Sequence, residues 1–389
     1  MRESGETAKA ASRIWLLQSK LTGDNAQVLA LGQSLQETGG FTAEARPIEA
    51  GLRQAAKRQP HRAPDVAAMA QSGLAPPWPD VVVACGSTPC IVAQWVKRLS
   101  GGRTVHVQLG RLAARPERID LVLETAQYGV APTANMITLT LPIVRPDAAR
   151  RAEAIAAWAP KLADLPRPWL GVLVGGPSSP IPFNAADGSR LLRRMIELRR
   201  AFGGALLIAY GPRTPNPVRE ILELGLKGDD QHRIFGWPPP APNPYPALLG
   251  LADRFLVTCD SANMIADACI TGKPVEVFML DIPEYLSRFS SRGLGLSIDA
   301  RRRRRQRQGL APDWLDRLRD ALVTRRWMTP YRDMRDFLHI LEKKRAIGTL
   351  NGDTTNGDTT NGGATAGGQV VQEQEIAMVR QRIAALIGR

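Results

Sequence analysis

The stretch TCDSANMIADACITGKPVEVF, residues 258–278, places Asp260, Ser261 and Asn263 where a hydrophobic run gives way to a helical pattern. Small polar residues at such a junction have two physical uses. Asp260 and Ser261 can cap the helix, because the first-turn backbone N–H groups have no partner within it. The same N–H groups, over Ser261, Ala262 and Asn263, carry the positive end of the helix dipole and suit the phosphates of a diphosphate. Asn263 and Asp267 lie four apart and share a helix face. A carboxylate at 267 is therefore a candidate acceptor for ribose hydroxyls.

Three other junctions have the same character. GGPSSPIPFN, residues 175–184, follows an apolar run with paired glycines, which permit close backbone approach. Gly176, Ser178 and Ser179 are candidate phosphate contacts there. YGPRTPNP, residues 210–217, supplies Arg213, whose fork of donors matches a phosphate, although an exposed loop arginine is the ordinary alternative. QSKLTGDNAQ, residues 18–27, offers Lys20, Thr22, Gly23, Asp24 and Asn25. Capping explains one polar residue of that cluster, and the rest fit a ligand loop. Asp24 is the only candidate general base, since such a group must come within hydrogen-bond reach of the hydroxyl it deprotonates.

The surrounding pattern positions these loops. RIWLLQ, DVVVACG, TVHVQLG, DLVLET and MITLTLPI read as strands alternating with amphipathic segments, and after a proline-marked stretch the pattern restarts at WLGVLVGG. Alternation of this kind predicts parallel sheets covered by helices. The fold class is α/β, with two Rossmann-like parallel-sheet domains facing a cleft and extra C-terminal helices. The expected divisions are a flexible N-terminus 1–12, a first domain 13–160, a second domain 161–345, a disordered linker 346–368 and an amphipathic helix 369–389. Ligand sites in such sheets lie beyond the carboxyl ends of the strands.

Bulk composition narrows the partners. Of 389 residues, 51 are Lys or Arg and 37 Asp or Glu, a net charge of +14 that favours an anionic partner. Few aromatics and no recognisable motif argue against nucleic acid. Cys85, Cys90, Cys259 and Cys269 form no CxxC pair and the four histidines are scattered, so core thiols are expected rather than a metal site, and no cofactor. The N-terminal segment lacks the apolar core of a secretory signal, and no run of about 18 apolar residues occurs. The expected location is cytoplasmic, with peripheral attachment at the inner face of the membrane left open. Arg301, Arg302, Arg303, Arg304, Arg305 and Arg307 form a basic block that is either a solvated loop or a contact for an anionic membrane surface. NGDTTNGDTTNG is a tandem repeat with nothing to bury. The final helix is expected to dock on the body, pair with another chain or lie on a membrane, in that order.

ADRFLVTCDSANMIADACITGKPVEVF, the GGP at 175–177 and the early loop with Gly23, Asn25 and Gln27 resemble the elongated-mitochondria (mitochondrial fission) family, found in plants and widely in bacteria. The resemblance covers about residues 13–290. That family in turn looks like glycosyltransferases of the two-Rossmann-domain, GT-B type. The resemblance implies an acceptor-side first domain and a second domain that binds a nucleotide-sugar, with Asp267 on ribose and the helix start on phosphates. It implies a metal-independent transferase acting on a cell-envelope or lipid-linked acceptor; the alternative is a non-catalytic membrane-surface adaptor on the same scaffold. Two positions depart from the family pattern. Asp267 stands where the family has glutamate, and ETAQYG (124–129) replaces a histidine-containing loop. A nucleotide-sugar epimerase reading finds no G-x-G-x-x-G after the first strand and no Y-x-x-x-K pair.

Overall fold

The computed structural model describes residues 11–130, 132–178, 181–281, 301, 305, 310–324, 334–347 and 367–388. Ser179, Arg302, Arg303, Arg304, Arg307 and the tandem repeat lie outside them. The first sheet has six parallel strands: β1 (Ser12–Gln18), β2 (Phe41–Pro47), β3 (Val81–Cys85), β4 (Val105–Leu109), β5 (Leu121–Thr125) and β6 (Met136–Leu139). Their order is β2-β1-β3-β4-β5-β6. Between them run α1 (Thr22–Gln36), α2 (Ala50–Arg58), α3 (Val66–Gln71) and α4 (Ser87–Leu99). All five residues of β3 and of β5 are buried. Continuous apolar runs of this kind are what a sheet covered on both faces requires.

The chain then forms α5 (Ala148–Trp158) and a second, five-stranded parallel sheet. It comprises β7 (Trp169–Val174), β8 (Ala205–Tyr210), β9 (His232–Phe235), β10 (Arg254–Thr258) and β11 (Val275–Phe278), in the order β11-β10-β7-β8-β9. Its helices are α6 (Ala185–Phe202), α7 (Asn216–Gly225), α8 (Tyr245–Leu251) and α9 (Ala262–Cys269). Capping sets the helix starts locally. Asn184 accepts from the Asp187 N–H while Asp187 accepts from the Asn184 N–H, a reciprocal box that opens α6.

The domain division differs in detail from the sequence expectation. That reading keeps residues 148–158 with the first domain, whereas α5 packs against α8 of the second. Gly250 lacks the side chain that would collide with Ile155 at 2.6 Å, and Trp158 Nε1 donates to the Pro242 carbonyl at 2.9 Å. Ala346 and Ile347, expected in a disordered linker, are buried in the second core beside Phe337 and Leu341 of the helix Met334–Lys343. Residues 348–366 lie outside the described residues.

The C-terminal helix Gly367–Ile387 crosses back to the first domain. Ile376, Val379 and Ile383 enter the same core as Val28 and Leu31 of α1. Glu375 accepts from the Thr140 N–H at 2.9 Å and the Thr140 hydroxyl at 2.5 Å, and Lys344 Nζ donates to that hydroxyl oxygen at 2.6 Å. The helix therefore spends its apolar face on the protein's own body. Docking wins because each fully buried aliphatic side chain stabilises by about 1.5–3 kcal/mol.

Candidate functional site

Both sheets turn their carboxyl strand ends towards one cleft, and the starts of α1 and α9 meet across it. Gln27 Nε2 donates to Asn263 Oδ1 at 3.1 Å. A side chain on Gly23 would lie 2.3 Å from Asn263 Nδ2, so the missing Cβ is what permits this approach. The opening stretch and the first-domain loop are thereby brought together by a contact between two of their own residues.

On the second-domain side the organiser is Asp260, which is fully buried. It follows β10 and reaches the end of β7, where its Oδ2 accepts from the Gly176 N–H at 2.9 Å. The Thr258 hydroxyl accepts from the Gly175 N–H at 2.8 Å and donates to Asp260 Oδ1 at 2.7 Å. Both glycines are obligatory here. A Cβ on Gly175 would lie 2.2 Å from the Asp260 carboxylate, and one on Gly176 would lie 2.1 Å from the Arg213 carbonyl oxygen. Arg213 is half-exposed, donates to the Pro177 carbonyl at 3.2 Å and stands 3.9 Å from Asp260. Ser178 is buried, with its backbone N–H and C=O paired to Ile181 at 2.9 and 2.6 Å.

Ser261 caps α9, its hydroxyl accepting from the Met264 N–H at 3.4 Å. Ala262 is buried and offers only its backbone. Asp267 lies one turn further along, where Tyr245 at the start of α8 donates to its Oδ2 at 2.9 Å. Burial raises the Asp267 carboxyl to about 6, with the Tyr245 hydroxyl and the Arg151 charge pulling the other way.

On the first-domain side Asp24 lies against the end of β3. Gly86 takes a left-handed φ of 85°, and a Cβ there would sit 2.8 Å from Asp24 Oδ2. Burial pushes the Cys85 thiol well up, and the neighbouring Asp24 carboxylate adds to the shift. Cys85 is therefore a buried thiol rather than a nucleophile. Asn25 turns back on its own loop, accepting from the Ser19 N–H at 2.8 Å and donating to the Ser19 carbonyl at 2.9 Å. Lys20 and Thr22 are exposed. Among the described residues no cluster of three or more His, Cys, Asp or Glu is placed to hold a metal ion.

Sequence reasoning singled out ETAQYG for the histidine it lacks and passed over Glu124 itself. Glu124, on β5, is 3% exposed, and among the described residues neither carboxylate oxygen makes a hydrogen bond of ordinary geometry. Burial raises it to about 8, against the opposing pull of the Val130 backbone and the Arg319 charge. A charged residue closing an apolar strand was the available signal. Because the folded-state value lies above the ordinary 4.5, the native state holds a proton that the unfolded chain releases. Stability should therefore fall as pH rises from about 4.5 to 8, by about 5 kcal/mol at most. Glu124→Gln should flatten that decline, and urea midpoints across this range check it; an unchanged slope would mean that Glu124 is ionised in the fold.

Comparison with known proteins adds the following. A model of the family described as Mitochondrial fission ELM1 matches residues 22–301. Mitochondrial fission protein ELM1 of Arabidopsis thaliana is 28% identical over 245 residues, which is 56% of this chain and 56% of that protein. The chain thus spans little more than half the length of that relative. Among solved structures, the catalytic domain of starch synthase IV from Arabidopsis thaliana, bound to ADP and acarbose, covers 98% of this chain and 100% of its own at 10% identity and a TM-score of 0.48. ADP-heptose lps heptosyltransferase II of E. coli covers 68% and 84% at 12% identity and a TM-score of 0.40. UDP-N-acetylglucosamine 2-epimerase of Rickettsia bellii covers 98% and 98% at 12% identity and a TM-score of 0.44. These are likenesses of outline, and no ligand or activity is carried over from them.

Proposed function

The chain belongs to the mitochondrial fission ELM1 family, and from the geometry of its cleft we propose that it is a glycosyltransferase-like protein binding a nucleotide-sugar between its two domains. One observation supports this above the others. The Gly175–Gly176 turn, the half-exposed Arg213 and the capped start of α9 are gathered around buried Asp260 at the carboxyl edge of the second sheet. Such an edge is where α/β sheets bind ligands. In this reading the donor diphosphate rests on the first N–H groups of α9 at Ala262 and Asn263, with Gly176, Ser178 and Arg213 around it. Ser261 is engaged as the cap, so its contribution is to fix the direction of those N–H groups. Asp267, steadied by Tyr245, holds the ribose.

The first-domain loop, with Lys20, Thr22, Gly23 and Asn25, faces an acceptor from a cell envelope or a lipid carrier. Asp24 takes the proton of the acceptor hydroxyl as its oxygen bonds to the anomeric carbon. The bond from that carbon to the diphosphate breaks, and the electron pair leaves with the diphosphate. The α9 dipole and Arg213 stabilise that charge, so the step calls for no metal.

A thermal-shift screen with UDP-, GDP-, CMP- and ADP-sugars tests the reading. A bound donor at a hundred times its Kd should stabilise by about 2.7 kcal/mol. No shift with any of the four would end it. With the active donor, Asp267→Ala should lower affinity about tenfold or more, since a hydrogen bond to a charged group is lost. Wild-type affinity should also fall as pH drops through about 6, where Asp267 takes up its proton. Unchanged affinity in Asp267→Ala would remove that residue from the site.

A second reading, a non-catalytic adaptor at an anionic membrane surface, is favoured by an exposed tryptophan–leucine face near Arg301 and Arg305. It stands or falls on vesicle binding and not on the nucleotide screen.

A further inference from the structure

The helix Trp314–Thr324 has its amphipathicity reversed. Asp316 and Arg319 are 1% and 3% exposed, while Trp314 and Leu318 are 70% and 47% exposed. A surface helix ordinarily turns its apolar stripe to the core and its charges to water. Here Asp316 and Arg319 are committed inward. Arg319 donates to the Gly129 carbonyl of the first domain at 2.5 Å, and at the helix start the Asp316 and Asp313 carboxylates each accept from the other's backbone N–H at 3.1 Å. Rolling the helix over to hide its apolar residues would break the Arg319–Gly129 bond.

Trp314 and Leu318 lie four apart on one helix face, and Leu310, also exposed, precedes the helix in the chain. Arginines stand beside this face. Arg301 pairs with Asp313, Arg305 donates to the Ala311 carbonyl at 2.9 Å and lies 3.7 Å from Asp316, and Arg317 is exposed on the helix. Two aspartates thus tether the basic segment at the foot of the helix. Indole and leucine side chains bordered by guanidinium groups match a bilayer interface with anionic headgroups, where Trp sits at headgroup depth and arginine meets phosphate.

We propose that the exposed face of Trp314 and Leu318, flanked by Arg301, Arg305 and Arg317, is the surface by which this protein docks on an anionic lipid membrane. The proposal rests on the membrane reading above and names the contact that makes it. Ile376, Val379 and Ile383 of the C-terminal helix are committed to the first core.

Co-sedimentation of the full chain with vesicles of phosphatidylcholine, alone or mixed with phosphatidylglycerol, is the test. The wild type should bind the mixed vesicles, release them as salt rises and ignore phosphatidylcholine alone. Trp314→Ala combined with Leu318→Ala should weaken binding about tenfold or more, because both insertable side chains are gone. Its melting temperature and its response to nucleotide-sugars should stay at wild-type values, since both side chains are exposed. Wild-type binding with no loss in the double variant overturns this surface alone. No wild-type binding to the mixed vesicles overturns the surface and the membrane reading together, and leaves the cleft reading to its own screen. Equal binding to both vesicle types overturns the part assigned to the arginines.

Discussion

A chain ending at residue 366 should lose about 6 kcal/mol of stability, enough to unfold the first domain or leave it aggregating. Ile376, Val379 and Ile383 fill the space against α1, and each contributes about 1.5–3 kcal/mol by leaving water. Whole domains are stable by only about 5–15 kcal/mol, so the loss rivals the total. Thr140 and Lys344 would lose Glu375 as well. Ile383→Ala, a milder change, should cost about 2–5 kcal/mol. Urea unfolding followed by tryptophan fluorescence measures both, and a truncated chain with the wild-type midpoint would show that the helix does not dock in solution. The consequence for function is practical. Loss of vesicle or nucleotide binding after removing this helix would report unfolding, so binding has to be dissected by point changes elsewhere.

Asp260→Ala should cost about 3–5 kcal/mol and abolish nucleotide binding where Arg213→Ala only weakens it. The carboxylate is buried, and its removal strands the Gly176 N–H and the Thr258 hydroxyl away from water. The Gly175–Gly176 turn then loses the group that holds it within reach of α9. Asp260→Asn, which keeps one acceptor oxygen of the two, should fall between wild type and alanine. Chemical denaturation gives the order of stabilities, and calorimetry with the stabilising nucleotide gives the affinities. If alanine matches asparagine in both, the two hydrogen bonds are not what Asp260 supplies.

Much of this architecture could be read before folding was considered. The apolar runs at 81–85, 169–174 and 205–210 identify buried parallel strands, and Gly86 and Gly203 stand at helix boundaries where a positive φ is needed. Ser261 was legible as a cap because capping depends on a residue and the N–H three positions later. The functional reach of the same stretch was not legible. Asp260 meets Gly176, 84 residues earlier, and Asn263 meets Gln27, 236 residues earlier. Nothing within a turn of either residue specifies those partners.

The helices after the second sheet make the same point from the other side. Amphipathic spacing announced an apolar face at 376–387 without saying what would cover it. At 314–324 the spacing does not reveal that Asp316 and Arg319 would be turned inward, because that depends on Gly129 presenting a carbonyl to Arg319. Glu124 stands near the end of an apolar strand in the sequence, and only the covering layers bury its carboxyl. Strands, caps and turns follow from backbone sterics and hydrogen bonding within a few residues, so the sequence by itself determined the two α/β halves and the polar loops at their strand ends. Which of those loops meet, which charges are buried and which apolar face stays in water were decided by how two sheets and three returning helices pack, since those energies belong to pairs of residues far apart in the chain.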